Sequence, residues 1–348
     1  MRASSLSRVL SVCVDRRRPA FIWGPPGVGK SDVVAQLAES KSMQLRDIRL
    51  NLLDPVDLKG FPVPNHETKQ MSWYPPDFLP PMFVRKEQKV RGKIETALVP
   101  NDSRGILFLD ELVAADRAVQ AAAYQLMLNF RIGDYVLPEG WSIIAAGNRA
   151  GDRSVVHSMP AALANRLVHF DFDVNLDDFS TWAVAHGIKS EVLAFLRFRS
   201  NLLHSFDPKT NPRAFPSPRS WMFVNDLIGQ GMTNDEEFET VKGTVGEGAA
   251  SEFAAFLRIA RDLPTVDEVL FNPKKAPVPE SPSALYAMAT SLAERASRDN
   301  YERLMEYINR VPTEFQVVFT RDAVKRCDDV SKTAAFTKWS VANSDVMI

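Results

Sequence analysis

Gly24-Pro25-Pro26-Gly27-Val28-Gly29-Lys30-Ser31 decides how the rest of this chain is read. The apolar run Ala20-Phe21-Ile22-Trp23 precedes it, and a helix-forming segment, Asp32 to Glu39, follows. Strand, glycine-rich turn and helix together give G-x-x-x-x-G-K-[ST] the setting of a phosphate-binding loop. Glycines let backbone N–H groups converge on an anion, and the helix N-terminus adds a favourable partial charge. On this reading residues Gly24 to Asp32 cradle a nucleotide, Lys30 reaches its β- and γ-phosphates, and Ser31 offers a hydroxyl to Mg²⁺. The alternative is a chance glycine turn, which the strand in front of the loop disfavours.

Length and charge bound what surrounds that loop. A chain of 348 residues is comfortable for two domains. Lys+Arg of 42 against Asp+Glu of 43 leaves a net charge of −1, which offers no global attraction to nucleic acid or an anionic membrane. The one tight basic cluster, Arg16-Arg17-Arg18, reads as a solvated helix end or a phosphate-side neighbour rather than a DNA patch. Cys13 and Cys327 are too far apart in sequence for a metal or redox motif, and read as small core residues of a protein in a reducing cytosol. No apolar run approaches the ~20 residues needed to span a bilayer, and Arg2 with Ser4 and Ser5 close behind does not read as a signal-peptide pattern. A cytoplasmic location is expected.

Outward from the loop, residues 4–14 carry Leu6, Val9, Leu10 and Val12 at the spacing of an amphipathic helix. Leu45 to Leu53 reads as a second strand, and Asp54 to Gly60 as a short helix stopped by glycine. Pro62, Pro64, Pro75, Pro76, Pro80 and Pro81 exclude a long helix over residues 61–81. A hairpin turning near Asn65 to Lys69, or else an irregular loop, is expected there. Gly105-Ile106-Leu107-Phe108-Leu109-Asp110-Glu111 reads as a buried parallel strand with carboxylates at its C-terminal edge. Ligands bind at that edge in open α/β sheets. Asp110 is therefore placed to hold Mg²⁺ through its water shell, and Glu111 to polarise an attacking water.

Asp116 to Leu128 has helical spacing, and residues 130–141 turn as a hairpin at Gly133-Asp134. The apolar strand Ser142 to Gly147 ends at Asn148, either a turn former or a sensor of the γ-phosphate. Ala161 to Arg166 is a short helix leading into a fifth strand, Leu167 to Phe172. Arg166 at that corner is expected on the sheet's active edge, where it could reach a neighbouring subunit's phosphate. His157, His169 and His186 lack metal-ligand spacing and read as structural. Beyond residue 173 helices dominate: Leu176 to Ala185, Glu191 to Leu203, Ser217 to Leu227 and most of 283–339, with an extended connector from Phe271 to Pro282. Arg219 falls in a helix's first turn, where a positive charge is out of place unless an anion pairs with it.

In this order the features resemble an AAA+ ATPase, and more narrowly its MoxR-like branch, in the clade that includes the magnesium chelatase ATPase subunit. Asp54 to Gly60 with the following hairpin is similar to that branch's helix-2 insert. Arg131 to Pro138 is similar to its hairpin before sensor 1. Ala145-Ala146-Gly147-Asn148-Arg149 and Ala164-Asn165-Arg166 are similar to its sensor 1 and arginine-finger segments. The resemblance implies an α/β P-loop domain with a central parallel five-stranded sheet over residues 1–173, with hairpin inserts at 61–81 and 130–141. A helical lid over 174–262 and a helical extension over 263–348 would follow. It implies ATP and Mg²⁺ as ligands, Lys30 and Ser31 on phosphate and metal, Asp110 on metal and Glu111 as catalytic base. Asn148 would be sensor 1, Arg166 a finger acting in trans, and Arg219 sensor 2. The branch forms hexameric rings that remodel other proteins, often with a von Willebrand factor A domain partner, here a separate chain. Two rivals remain: a nucleic-acid machine such as a helicase loader or clamp loader, which the neutral charge disfavours, and a monomeric small-molecule phosphoryl transferase.

Overall fold

The computed structural model describes residues 1–67, 69–90, 93–149, 151, 159–207 and 213–345. The chain divides into two units, Met1–Asp173 and Val174–Ile348.

The first unit runs α1 (Ala3–Asp15), β1 (Ala20–Trp23), α2 (Lys30–Ser40), β2 (Gln44–Arg49), α3 (Pro55–Lys59), β3 (Phe61–Asn65), β4 (Gln70–Tyr74), β5 (Phe83–Val90), β6 (Lys93–Pro100) and β7 (Gly105–Asp110). It continues through α4 (Arg117–Asn129), β8 (Arg131–Ile132), β9 (Tyr135–Val136), β10 (Trp141–Gly147), α5 (Ala161–Ala164) and β11 (Val168–Asp171). Among the described residues five strands form the central sheet in the order β11-β1-β10-β7-β2, every neighbouring pair parallel. Every residue of β7 and β10 is buried. Their apolar stretches, Ile106 to Leu109 and Ile143 to Ala146, suit strands covered on both faces, as a parallel sheet with crossover helices requires. Gly105 permits the packing at the start of β7, because a Cβ there would stand 2.5 Å from the Trp141 ring.

Several expected details shift. In α1 the buried residues are Leu6, Leu10, Cys13 and Val14, while Val12 is 61 % exposed and belongs to the solvent face. β2 ends at Arg49 rather than Leu53, because its partner there, Asp110, is the last residue of β7 and no strand remains to pair with. A 3₁₀ turn, Leu50–Leu52, follows instead. Arg17 is not solvated. With φ +51 it turns back to donate from Nε to the Trp141 carbonyl (3.0 Å) and from Nη2 to those of Leu137 (3.0 Å) and Pro138 (3.1 Å). Its guanidinium also lies 4.3 Å from the Phe130 ring centre. The middle of the basic run thus anchors the β8–β9 hairpin.

The proline-rich stretch is a hairpin, β3 paired antiparallel with β4 over Phe61 to Tyr74, with no strand from 75 to 81. Pro62 faces Trp73 and Pro64 faces Met71. Prolines have no N–H, so these are the pairs without mutual hydrogen bonds. Gly60 closes the base: at φ +87, a Cβ would stand 2.0 Å from the Tyr74 carbonyl oxygen. A second hairpin, β5 with β6, follows at once and was not expected.

The second unit comprises α6 (Leu176–Ala185), α7 (Ser190–Phe198), α8 (Pro218–Leu227), α9 (Asn234–Val245), α10 (Glu247–Arg261), α11 (Val266–Phe271), α12 (Pro282–Glu294), α13 (Tyr301–Ile308), α14 (Thr313–Arg326) and α15 (Ala334–Ala342). Among the described residues it has two hydrophobic clusters, one around Phe195, Trp221, Phe253 and Phe256, the other around Tyr301, Tyr307, Phe315 and Phe319. α12 serves both, giving Ala287 to the first and Met288 and Leu292 to the second. Arg197 on α7 and Asp322 on α14 form a bidentate buried ion pair, 2.5 and 2.8 Å, between segments expected to belong to a lid and to a separate extension. Residues 174–348 therefore make one unit.

Candidate active site

The turn after β1 is built by glycine conformation. Gly27 (φ +77) and Gly29 (φ +92) take the left-handed region that other residues resist, and Gly29 caps the start of α2. Gly24 donates to the Gly147 carbonyl (3.3 Å), and a Cβ on it would stand 3.1 Å from the Phe172 carbonyl oxygen. Lys30, the first residue of α2, is buried. Its Nζ donates to the carbonyls of Gly24 (2.8 Å) and Pro25 (3.1 Å) and to Asn148 Oδ1 (2.8 Å). A buried ammonium beside a ring of backbone groups suits a polyanionic ligand.

The ends of two further strands, β7 and β10, converge there. Asp110 closes β7, and Ser31 Oγ donates to its Oδ2 at 3.3 Å. A hydroxyl and a carboxylate oxygen facing each other beside the loop are hard oxygen donors of the kind Mg²⁺ takes. Asp110 Oδ1 accepts from the Glu111 backbone N–H (2.9 Å). Glu111 itself sits at φ +55, ψ +31, a left-handed conformation that costs a non-glycine residue about 1–3 kcal/mol. Asn148, buried just past β10, offers Nδ2 to Glu111 Oε2 at 3.5 Å, a long contact. Lys30, Ser31, Asp110, Glu111 and Asn148 thus meet on the C-terminal edge of the sheet, where an open α/β fold holds its ligand. On β2 nearby, burial first and the Asp110 carboxylate second push Asp47 above the usual carboxylate range, with Arg49 opposing.

Arg166 is elsewhere. β11 starts at Val168, which pairs with Ala20 and donates to the Pro19 carbonyl (3.1 Å). In a parallel sheet all strand starts share one edge, so Arg166 stands on the N-terminal edge, opposite the phosphate loop, and not on the active edge as expected. The length of β1, at about 3.3 Å per residue, separates the two. Arg166 is exposed, and among the described residues nothing accepts a hydrogen bond from it. Arg219 lies in the second unit, in the first turn of α8, exposed beside a Ser217–Ser220 capping box. His169 accepts at Nδ1 from Trp23 Nε1 (3.0 Å), and its Nε2 lies 2.8 Å from the Ala164 carbonyl. His186 stacks on Trp182. Both act structurally, and His157 lies outside the described residues. Among those residues no three His, Cys, Asp or Glu side chains gather as a metal site, and no helix is long and apolar enough to cross a membrane.

One residue of this edge had no expected role. Arg149 follows Asn148 and reaches Asp171 Oδ1 (Nε, 3.3 Å) and Asp173 Oδ1 (Nη2, 2.9 Å). The carboxylates it meets lie more than twenty residues further along the chain.

The model of the ATPase family associated with various cellular activities (AAA) matches residues 20–176. These residues form an AAA-type ATPase domain. ATP hydrolysis is the reaction of such a domain, and its phosphate loop is the one described above. Among solved structures, a candidate ATPase from Cytophaga hutchinsonii is 16 % identical, with 91 % of this chain and 79 % of that chain covered and a TM-score of 0.33. The RuvB Holliday junction branch migration motor of Thermotoga maritima is 15 % identical over 83 % of this chain and 80 % of its own, with a TM-score of 0.36. Likenesses that loose transfer no residue role to the AAA domain. No curated protein matches the sequence significantly.

Proposed function

We propose that this chain is a ring-forming AAA+ ATPase of MoxR type, which couples ATP hydrolysis to remodelling or maturation of a separate protein client, with a von Willebrand factor A domain chain as one candidate partner. The observation that carries the reading is the separation of Arg166 from its own phosphate loop. An exposed arginine on the far edge of the sheet is too distant to serve the site of its own chain, but in a ring, a hexamer on this reading, it would serve the next one. Within each site Lys30 neutralises phosphate charge, and Asn148 orients the attacking water beside Glu111, which takes its proton. Ser31 and Asp110 would hold Mg²⁺, which when bound neutralises charge on the phosphates. Arg219 is the candidate for the sensor 2 role.

A polypeptide client is favoured over nucleic acid by the β3–β4 hairpin. It exposes Phe61 (70 %), Met71 (54 %), Trp73 (41 %) and Tyr74 (62 %). Apolar side chains without a cluster of cations suit a protein surface rather than a phosphate backbone. A cytoplasmic setting follows from the same reading.

Mixing two inactive variants tests the shared site. Arg166→Ala should bind ATP and hardly hydrolyse it, since arginine fingers contribute about 10³ to 10⁵ in rate. Glu111→Gln should bind and hardly hydrolyse because an amide cannot take a proton. In mixed rings some interfaces pair an intact Glu111 with a neighbour's intact Arg166, and hydrolysis should partly return. Wild-type turnover by Arg166→Ala alone would refute the assignment.

A further inference from the structure

The ladder that fixes β10 beside β1 ends at the pair Trp23–Gly147. Asn148, one residue on, is therefore outside the sheet's hydrogen bonding, yet its side chain meets both Lys30 and Glu111. The next residue supplies a separate hold. Arg149 crosses from the end of β10 to the end of β11, over the start of the phosphate loop that rises from β1 between them. Its Nε forms an ion pair with Asp171 (3.3 Å). Its Nη2 donates to Asp173 (2.9 Å) and lies 3.5 Å from the Phe172 carbonyl oxygen. That carbonyl is the one against which Gly24 packs, and the Phe172 N–H donates to the Trp23 carbonyl at 2.7 Å. The far end of Arg149 thus grips a segment already fastened to β1 and to the loop.

We propose that Arg149 is a positioning residue for ATP hydrolysis, holding Asn148 in register with Lys30 and Glu111 through its grip on Asp171 and Asp173. The inference rests on the reading of Asn148 as the residue that orients the attacking water. Consecutive Cα atoms are held about 3.8 Å apart, so a fixed Arg149 leaves Asn148 little freedom. An arginine is needed because a forked, planar group can engage two carboxylates at once, whereas a lysine presents one point charge. The pair is too exposed to matter much for stability, the Arg149 side chain being 38 % accessible and Asp171 and Asp173 72 % and 60 %. Its effect belongs to geometry at the reacting centre, where a displacement of about 1 Å can cost on the order of 10²-fold in rate.

The test measures kcat, KM, affinity for a fluorescent ATP analogue and Tm for Asn148→Ala, Arg149→Ala, Arg149→Lys and the double variant Asp171→Asn/Asp173→Asn. Arg149→Ala should lose about 10- to 100-fold in kcat, in line with the cost of misplacement, while KM, affinity and Tm stay near wild type. The double aspartate variant should show the same loss, and adding Arg149→Ala to it should lose nothing more, since both break one link. Arg149→Lys should recover part of the rate. Wild-type kcat in Arg149→Ala beside a slow Asn148→Ala overturns this inference alone. Wild-type kcat in Asn148→Ala overturns the reading beneath it as well. A loss of rate that tracks a loss of Tm, with additive aspartate effects, marks a merely structural pair and also overturns it. If Arg149→Ala fails to fold, the double aspartate variant, altered only at exposed side chains, decides by the same criteria.

Discussion

Removing Asp322 breaks the buried ion pair of the second unit. Its side chain is 1 % exposed and that of Arg197 4 %. The two are joined by bonds of 2.5 and 2.8 Å, with a third from Arg197 Nη1 to Thr290 Oγ1 at 3.2 Å. Arg197 Nε is buried and finds no acceptor among the described residues, so the guanidinium relies on Asp322. Asp322→Ala leaves a buried cation with only a hydroxyl, and breaking such a pair costs about 3–5 kcal/mol. With a urea m-value of about 2 kcal/mol per molar, the midpoint should fall by about 2 M. Arg197→Met with Asp322→Leu removes both charges and refills the space, and should return to within about 1 kcal/mol of wild type or exceed it, as paired replacements of buried ions often do. Urea titration followed by far-UV circular dichroism reads the helical unit. A loss below about 1 kcal/mol for Asp322→Ala, or a double variant as weak as the single, would refute the assignment of the cost to an uncompensated buried charge.

Lys30→Ala should abolish binding of a fluorescent ATP analogue while leaving the circular dichroism spectrum unchanged, because the lysine donates to loop carbonyls and packs no core. Glu111→Gly should be about 1 kcal/mol more stable to urea than Glu111→Ala, since only glycine is at ease at φ +55, and both should be inactive in ATP hydrolysis. The hydrogen bond from Arg149 holds the Asp173 carboxyl below the usual carboxylate range. The stability this gives is present above the unfolded value of about 3.9 and is lost as pH falls through the lower folded one. NMR titration should find Asp173 moving up toward that ordinary value in Arg149→Ala.

The phosphate loop and the carboxylate strand were legible because their requirements are local. Gly27 and Gly29 announce left-handed backbone, and residues 105–110 announce a strand covered on both faces. Asn148 could be grouped with them once β10 was seen to be equally apolar. The edge on which Arg166 stands was also within reach, since residues before and after a parallel strand lie on opposite edges. The roles of Arg17 and Arg149 were hidden for a different reason. Each depends on acceptors brought near by the sheet order, such as the Leu137 carbonyl for Arg17. The β5–β6 hairpin was obscured by charges, Arg85, Lys86 and Glu87, that break the apolar alternation; one of them, Lys86, is paired with Asp102 at 2.7 Å.

Strand order also sets a timetable for synthesis. β1 carries the phosphate loop, yet both of its neighbours, β10 and β11, are encoded far downstream. On the ribosome, at about 5–20 residues per second, roughly 150 further residues must be made before β1 is flanked on both sides, a wait of about 7–30 s. During that interval Ala20 to Trp23 is an unshielded sticky segment, and the nucleotide pocket has no floor. The nascent chain should therefore need a holding factor over this window, and should first retain ATP only after residue 171 has left the exit tunnel.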